Sequence, residues 1–139
     1  MNKWELIKIL LEDGMCLCEA DGDMETYEML SELYELADSI DTKLNEIYGK
    51  QVEVDEEIRK AVETFYFIEH QRLSFRDVFF CLAIIKKLAR GRYYCIACQE
   101  SGLDCSKCKF AKEVGACQKE GSLYRKFADK LDQALEVLK

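Results

Sequence analysis

Not one proline interrupts this chain, and that absence removes the commonest helix breaker together with many tight turns. Between the few glycines, apolar residues recur every three to four positions, the spacing that lines one face of an α-helix. Turn dipeptides and β-branched runs, which an all-β fold requires, are scarce. The expectation is an all-α, compact helical bundle of about five helices, with a cysteine-rich metal-binding insertion before the last. The chain has 139 residues, 49% of them hydrophobic, enough for one domain with a real core. Residues 1–139 are therefore read as a single domain, and residues 92–121 as a metal-binding segment within it.

Taken in order, Asn2 is a suitable N-cap for a first helix that carries Trp4, Ile7, Leu10 and Leu11 on one face and should end at Gly14. Met15 to Gly22 is expected to be a link. Its Cys16 and Cys18 are spaced for neither a zinc turn nor a mutual disulfide, so both are read as packed thiols. Asp21, Asp23 and Glu25 lack the glycine that a calcium loop needs. Asp23 should cap a long helix to Tyr48, closed by Gly49, with Met29, Leu30, Leu33, Leu36, Ala37, Ile40, Leu44 and Ile47 on one arc. Glu25, Glu28, Glu32 and Glu35 fall on the opposite side, toward solvent.

A third helix is predicted from about Asp55 to Arg72, with Ile58, Val62, Phe65 and Ile68 inward. It holds the one histidine, His70, which has no second base or paired nucleophile around it and so forms no catalytic constellation. Ser74 and Asp77 open the most apolar helix, ended by Gly91. Its Val78, Phe79, Cys81, Leu82, Ile85, Leu88 and Ala89 cover most of the circumference, which predicts the centre of the core over residues 75–90. Ser122 should cap a final helix bearing Leu123, Phe127, Leu131, Leu135 and Leu138.

The chemistry is concentrated between Tyr93 and Cys117, YYCIACQESGLDCSKCKFAKEVGAC. A Cys-x-x-Cys turn brings two sulfurs close enough to hold one tetrahedral ion, and two such turns complete its coordination. Cys95, Cys98, Cys105 and Cys108 form the favoured set, with Cys117 as a fifth candidate ligand. The Gly102 to Asp104 stretch supplies the turn between the pairs, and the second pair should open a short helix whose free N–H groups favour thiolates. Zinc suits such sulfur ligation; an iron–sulfur cluster, which also takes four thiolates, is the alternative cofactor. The N-terminal residues have charges inside their apolar pattern, unlike a signal peptide or a membrane span, so a cytoplasmic location is expected and no membrane partner. A reducing compartment favours ligation over disulfides for eight cysteines.

Charge is unevenly spread: residues 1–75 carry 19 acids against 7 bases, and residues 76–139 carry 8 acids against 13 bases. Lys86, Lys87, Arg90, Arg92, Lys107, Lys109, Lys112, Lys119, Arg125 and Lys126 are interleaved with Tyr93, Tyr94, Phe110 and Tyr124, a mixture that suits phosphates and exposed bases. Nucleic acid is therefore one candidate partner. The reading placed first is a non-enzymatic zinc protein that meets a protein partner or a second copy of itself, with the halves attracting each other as the plain account of the polarity.

Two resemblances accompany these readings. The run CIACQESGLDCSKCKFAKEVGACQKEGSLYRKF resembles the cysteine segment of small uncharacterised cysteine-cluster proteins of phages and microbes, which implies metal binding over about a quarter of the chain. The run ELYELAD, Glu32 to Asp38, resembles the magnesium-binding carboxylate helix of the all-α nucleoside-triphosphate pyrophosphohydrolases, which implies an enzyme as a further alternative. That family has a matching acidic motif on a later helix, whereas Glu63, Glu69 and Asp77 here lack its spacing.

Overall fold

The structure, a computed structural model, describes residues 1–62 and 77–138. Six α-helices are complete within them: α1 (Lys3–Asp21), α2 (Met24–Tyr48), α3 (Asp77–Arg90), α4 (Ile96–Glu100), α5 (Lys109–Val114) and α6 (Leu123–Val137). Residues 56–62 are also helical, and single 3-10 turns occupy Arg92–Tyr94 and Cys105–Lys107. Among the described residues there is no strand, only an isolated bridge between Asn2 and Glu53. The fold is all-α. The remainder of the expected third helix, with Phe65, Ile68 and His70, and the cap at Ser74 lie outside the described residues.

The four long helices close into a ring: α1 packs on α2 and α3, and α6 packs on the same two. Their inner faces form one core of Trp4, Ile7, Leu10, Leu11, Leu30, Leu33, Ile40, Leu44, Val78, Leu82, Ile85, Phe127 and Leu131, with smaller residues between. The Trp4 ring meets Phe127 edge-on at 5.2 Å, which joins the start of α1 to α6. At about 1.5–3 kcal/mol for each large apolar side chain buried, these contacts dominate the stability of the ring.

Local chemistry sets most helix ends. Asn2 forms a full capping box with Glu5, Asp23 accepts from the Thr26 N–H, and Ser122 accepts from the Arg125 N–H. Gly49 closes α2 in a left-handed conformation, φ 70°. One expected end fails: α1 does not stop at Gly14 but runs on to a cap at Gly22, so the expected link is helical and Cys16 and Cys18 lie on it. Gly14 serves packing instead, since a Cβ there would stand 3.1 Å from the Leu30 Cδ1 atom of α2. A glycine inside a helix costs about 1 kcal/mol, and here that cost is offset by close approach of two core helices. Cys18 is buried as expected, but Cys16 is exposed.

Residues 75 and 76 lie outside the described residues; within α3, Val78, Cys81, Leu82, Ile85 and Ala89 are buried in the core. In a ring of four helices each one keeps an outward face, and α3 presents Phe80, 55% exposed, on it. The start of α1 is the more enclosed element, and it is tied down by polar contacts as well. Asn2 Nδ2 donates to the buried Asp41 carboxylate at 3.2 Å, Lys8 pairs with the same carboxylate at 3.0 Å, and the Val54 N–H donates to the Met1 carbonyl at 2.9 Å. No helix among the described residues is long and apolar enough to cross a membrane.

Candidate metal centre

After α3 the chain makes a 3-10 turn and two very short helices, and each cysteine pair is built into a helix start. Cys95 is the N-cap of α4, with Cys98 on that helix. Cys105 opens the second 3-10 turn and Cys108 is the N-cap of α5, where its sulfur accepts from the Ala111 N–H at 3.4 Å. The expectation that the second pair opens a short helix therefore holds in the form of a cap. Between the pairs Gly102 and Leu103 both adopt left-handed φ, 63° and 66°, and the Leu103 N–H donates to the Cys98 carbonyl at 2.8 Å. After α5 the chain reverses at Gly115, φ 91°, where a Cβ would stand 2.9 Å from Ser122 Cβ. Only glycine fits that reversal, and it brings Cys117 back toward the other cysteines.

All five of Cys95, Cys98, Cys105, Cys108 and Cys117 line one pocket of about 330 Å³. Its other walls include Lys3 and Trp4 of α1, Leu44 of α2, Arg92, Phe110 and Tyr124. The thiols differ in exposure: Cys108 is buried, Cys105 exposed, and the other three half-buried. Among the described residues, no three cysteine, histidine or carboxylate side chains converge as a formed coordination group. With Zn–S bonds of about 2.3 Å, tetrahedral thiolates stand about 3.8 Å apart. Cys95 and Cys98 are within side-chain hydrogen-bonding reach of each other, so one pair is already brought together.

The electrostatics favour sulfur anions at particular positions. The Cys98 thiol donates to Cys95, which is the main reason the Cys95 thiol lies well below its ordinary value; burial opposes this, and the Lys3 charge and the Cys98 and Ala97 N–H groups assist it. Cys98, sharing that hydrogen bond and partly desolvated, is pushed strongly upward and keeps the proton. Burial pushes Cys117 up to about 11. Arg92 bridges the pairs: its guanidinium hydrogen-bonds to Cys98 and to Cys105, the latter at 3.5 Å from Nη2. Tyr48 of α2 contacts Cys108 with its hydroxyl. A ligating ion would have to displace the protons on Cys98 and Cys117, so binding would release protons and strengthen as pH rises.

Thiols held by helix N–H groups, a buried ammonium and a guanidinium form a donor set that fits a thiophilic ion or cluster. Four residues of the setting were not read from the sequence as parts of the site: Lys3, Trp4, Tyr48 and Arg92. A signal existed for the first. Lys3 lies four, seven and eleven positions before Ile7, Leu10 and Gly14, on a helical stripe that is otherwise apolar, and all four are buried.

The segment docks on the ring through Ile96, Ala97 and Phe110, which are buried, and through ion pairs of Lys43 with Glu113 at 2.9 Å and Lys50 with Glu100 at 3.6 Å. In both pairs the base comes from the acidic half and the acid from the basic half, so the gross polarity of the chain is not what seats the segment. The acids Glu25, Glu28, Glu32 and Glu35 are exposed on α2, and Glu32 pairs with Lys130. No family model, curated protein or solved structure matches this chain.

Proposed function

We propose that this chain is a small, non-enzymatic, metal-binding helical protein, a protein-interaction or regulatory module whose cysteine segment is stapled by zinc. The observation that carries the reading is the gathering of five thiols, spread over residues 95–117, around one pocket walled by three cationic side chains, Lys3, Arg90 and Arg92. Four thiolates around zinc make a closed site, which serves structure and leaves no position for a substrate. The likeness to small cysteine-cluster proteins points the same way. For a partner, the segment offers Tyr93, 67% exposed, and Leu103, 54% exposed. An aromatic and an aliphatic anchor of this kind suit a protein surface or a second copy of the chain.

Metal analysis of anaerobically purified protein, together with its absorption spectrum, tests this. One zinc per chain and no visible colour is the expected result. A well-folded chain that takes up neither zinc nor iron would end the reading.

One observation favours a second cofactor on the same thiols. A pocket of about 330 Å³ whose sulfurs do not converge on a point has room for an iron–sulfur cluster, which holds its four thiolates further apart than a single ion does. Brown colour with matched iron and acid-labile sulfide would select it. The pyrophosphohydrolase alternative has less support, because the α2 acids form no enclosed group of carboxylates among the described residues. With magnesium and a panel of nucleoside triphosphates, no pyrophosphate release is expected. Release that disappears in Glu32→Ala or Glu35→Ala would restore the enzyme reading.

A further inference from the structure

A lysine ammonium is costly to bury unless an anion compensates it. Lys3 is only 2% exposed. Its Nζ donates to the Ala89 carbonyl at 3.0 Å and the Gly91 carbonyl at 2.9 Å, at the end of α3 where the helix dipole favours a cation. Tyr124 donates to the same Ala89 carbonyl at 3.1 Å. Carbonyls supply only partial charge. Burial pushes the ammonium below its ordinary value, and what acts against this is the negative charge that the sulfurs of Cys95, Cys98 and Cys117 carry when ionised. Beside it, the Trp4 indole N–H is buried without a hydrogen-bond partner among the described residues, and Trp4 lines the same pocket.

We infer that Lys3 is the built-in counter-cation of the thiolate centre, a positioning residue that offsets the charge of the ligated thiolates and couples metal loading to docking of the segment on the α1–α3 corner. The inference rests on the metal-binding reading. Four thiolates and a divalent ion carry a net double negative charge. Arg90 and Arg92 meet that charge from the exposed side, where water already screens it; Lys3 meets it from the buried side, and among the described residues that line the pocket it is the one buried cation. A role limited to capping α3 would need hydrogen bonds and no charge, which gives the two accounts different consequences.

The full chain is compared as Lys3→Gln, which keeps N–H donors for the carbonyls but removes the charge, and as Lys3→Arg, which keeps the charge. Zinc affinity is read by competition with a chromogenic chelator, and site geometry from the absorption of cobalt(II)-loaded protein. Lys3→Gln should bind zinc about 10–100-fold more weakly, the usual effect of losing an outer-sphere partner, and Lys3→Arg should restore most of the affinity. Unchanged affinity in Lys3→Gln overturns the inference and leaves the metal site standing. An unaltered chain that takes up neither ion overturns the metal reading itself, and this inference with it. Should Lys3→Gln fail to fold, the Lys3 ammonium is followed by NMR in the unaltered protein. Its nitrogen resonance should move on zinc loading while that of Lys8, paired with Asp38 between α1 and α2, stays, and no movement at Lys3 overturns the inference.

Discussion

The ring of α1, α2, α3 and α6 and the cysteine segment, residues 92–121, are both helical, yet they are held by different physics. In the ring, long amphipathic helices bury whole faces, and the starts of α1, α2 and α6 are capped by the side chains of Asn2, Asp23 and Ser122. In the segment, α4 and α5 are too short to be stable alone, and only Ile96, Ala97, Cys108 and Phe110 are buried. The first region can offset its ordering entropy with apolar area; the second must draw on something else. Sulfur ligation is the candidate for that missing free energy, since binding energy at a metal site is folding energy for the loop that carries it. The comparison also explains why the segment inserts between α3 and α6. Two helices already fixed in a packed ring shorten the span that a metal has to organise.

The sharpest way to break the contrast is the double variant Cys95→Ser, Cys98→Ser. It should lose the bound metal and become open to protease within residues 92–121, and undocking of Leu123, Phe127 and Leu131 should follow, while α1 and α2 keep their helical signal. Full retention of one metal per chain would place the ligands elsewhere.

The complementary change strikes the ring. Phe127 is fully buried against Trp4, and Phe127→Ala should cost about 3–5 kcal/mol through lost contacts and a residual cavity. Denaturant unfolding of the metal-loaded protein would show this as a lower midpoint, with a smaller change in metal-free protein, where α6 is already loosened. An equal loss in both forms would mean that α6 stays docked on α1 without the metal.

A smaller effect sharpens the comparison within the cysteines themselves. Cys18 is buried on α1 and does not line the pocket of the other thiols, so it belongs to the core; burial, aided by Asp23 and Asp21, raises its thiol to about 11. As pH rises past the ordinary thiol value the unfolded chain releases this proton first, while the folded chain holds it until about 11. The unfolded state then binds fewer protons, and stability falls across that interval by about 1.4 kcal/mol per pH unit for one thiol. Cys18→Ala should flatten the alkaline limb of the stability profile by that amount and leave metal content unchanged. A limb of equal steepness in the variant would assign the alkaline loss to Cys117 or Tyr124, which burial also raises.

Helix starts at Asn2, Asp23 and Ser122, and the full extent of α2, were legible in the sequence because each rests on contacts within one turn of the chain. The two cysteine pairs were legible for the same reason, as spacing alone places their sulfurs near each other. Gly14 misled because a glycine that ends a helix and one that lets two helices approach are the same residue. What separates them is Leu30, sixteen positions away, which local pattern does not contain. Lys3 was missed similarly. Its apolar stripe marks it as buried, but the carbonyls of Ala89 and Gly91 that hold it and the thiols beside it meet only when α3 and the segment pack against α1. Short-range chemistry was thus sufficient for the helix starts at Asn2, Asp23 and Ser122 and for the extent of α2. The shape of the pocket, the gathering of its five thiols around it and the cation behind them arise from long-range packing, where the energy lies in contacts between residues distant along the chain.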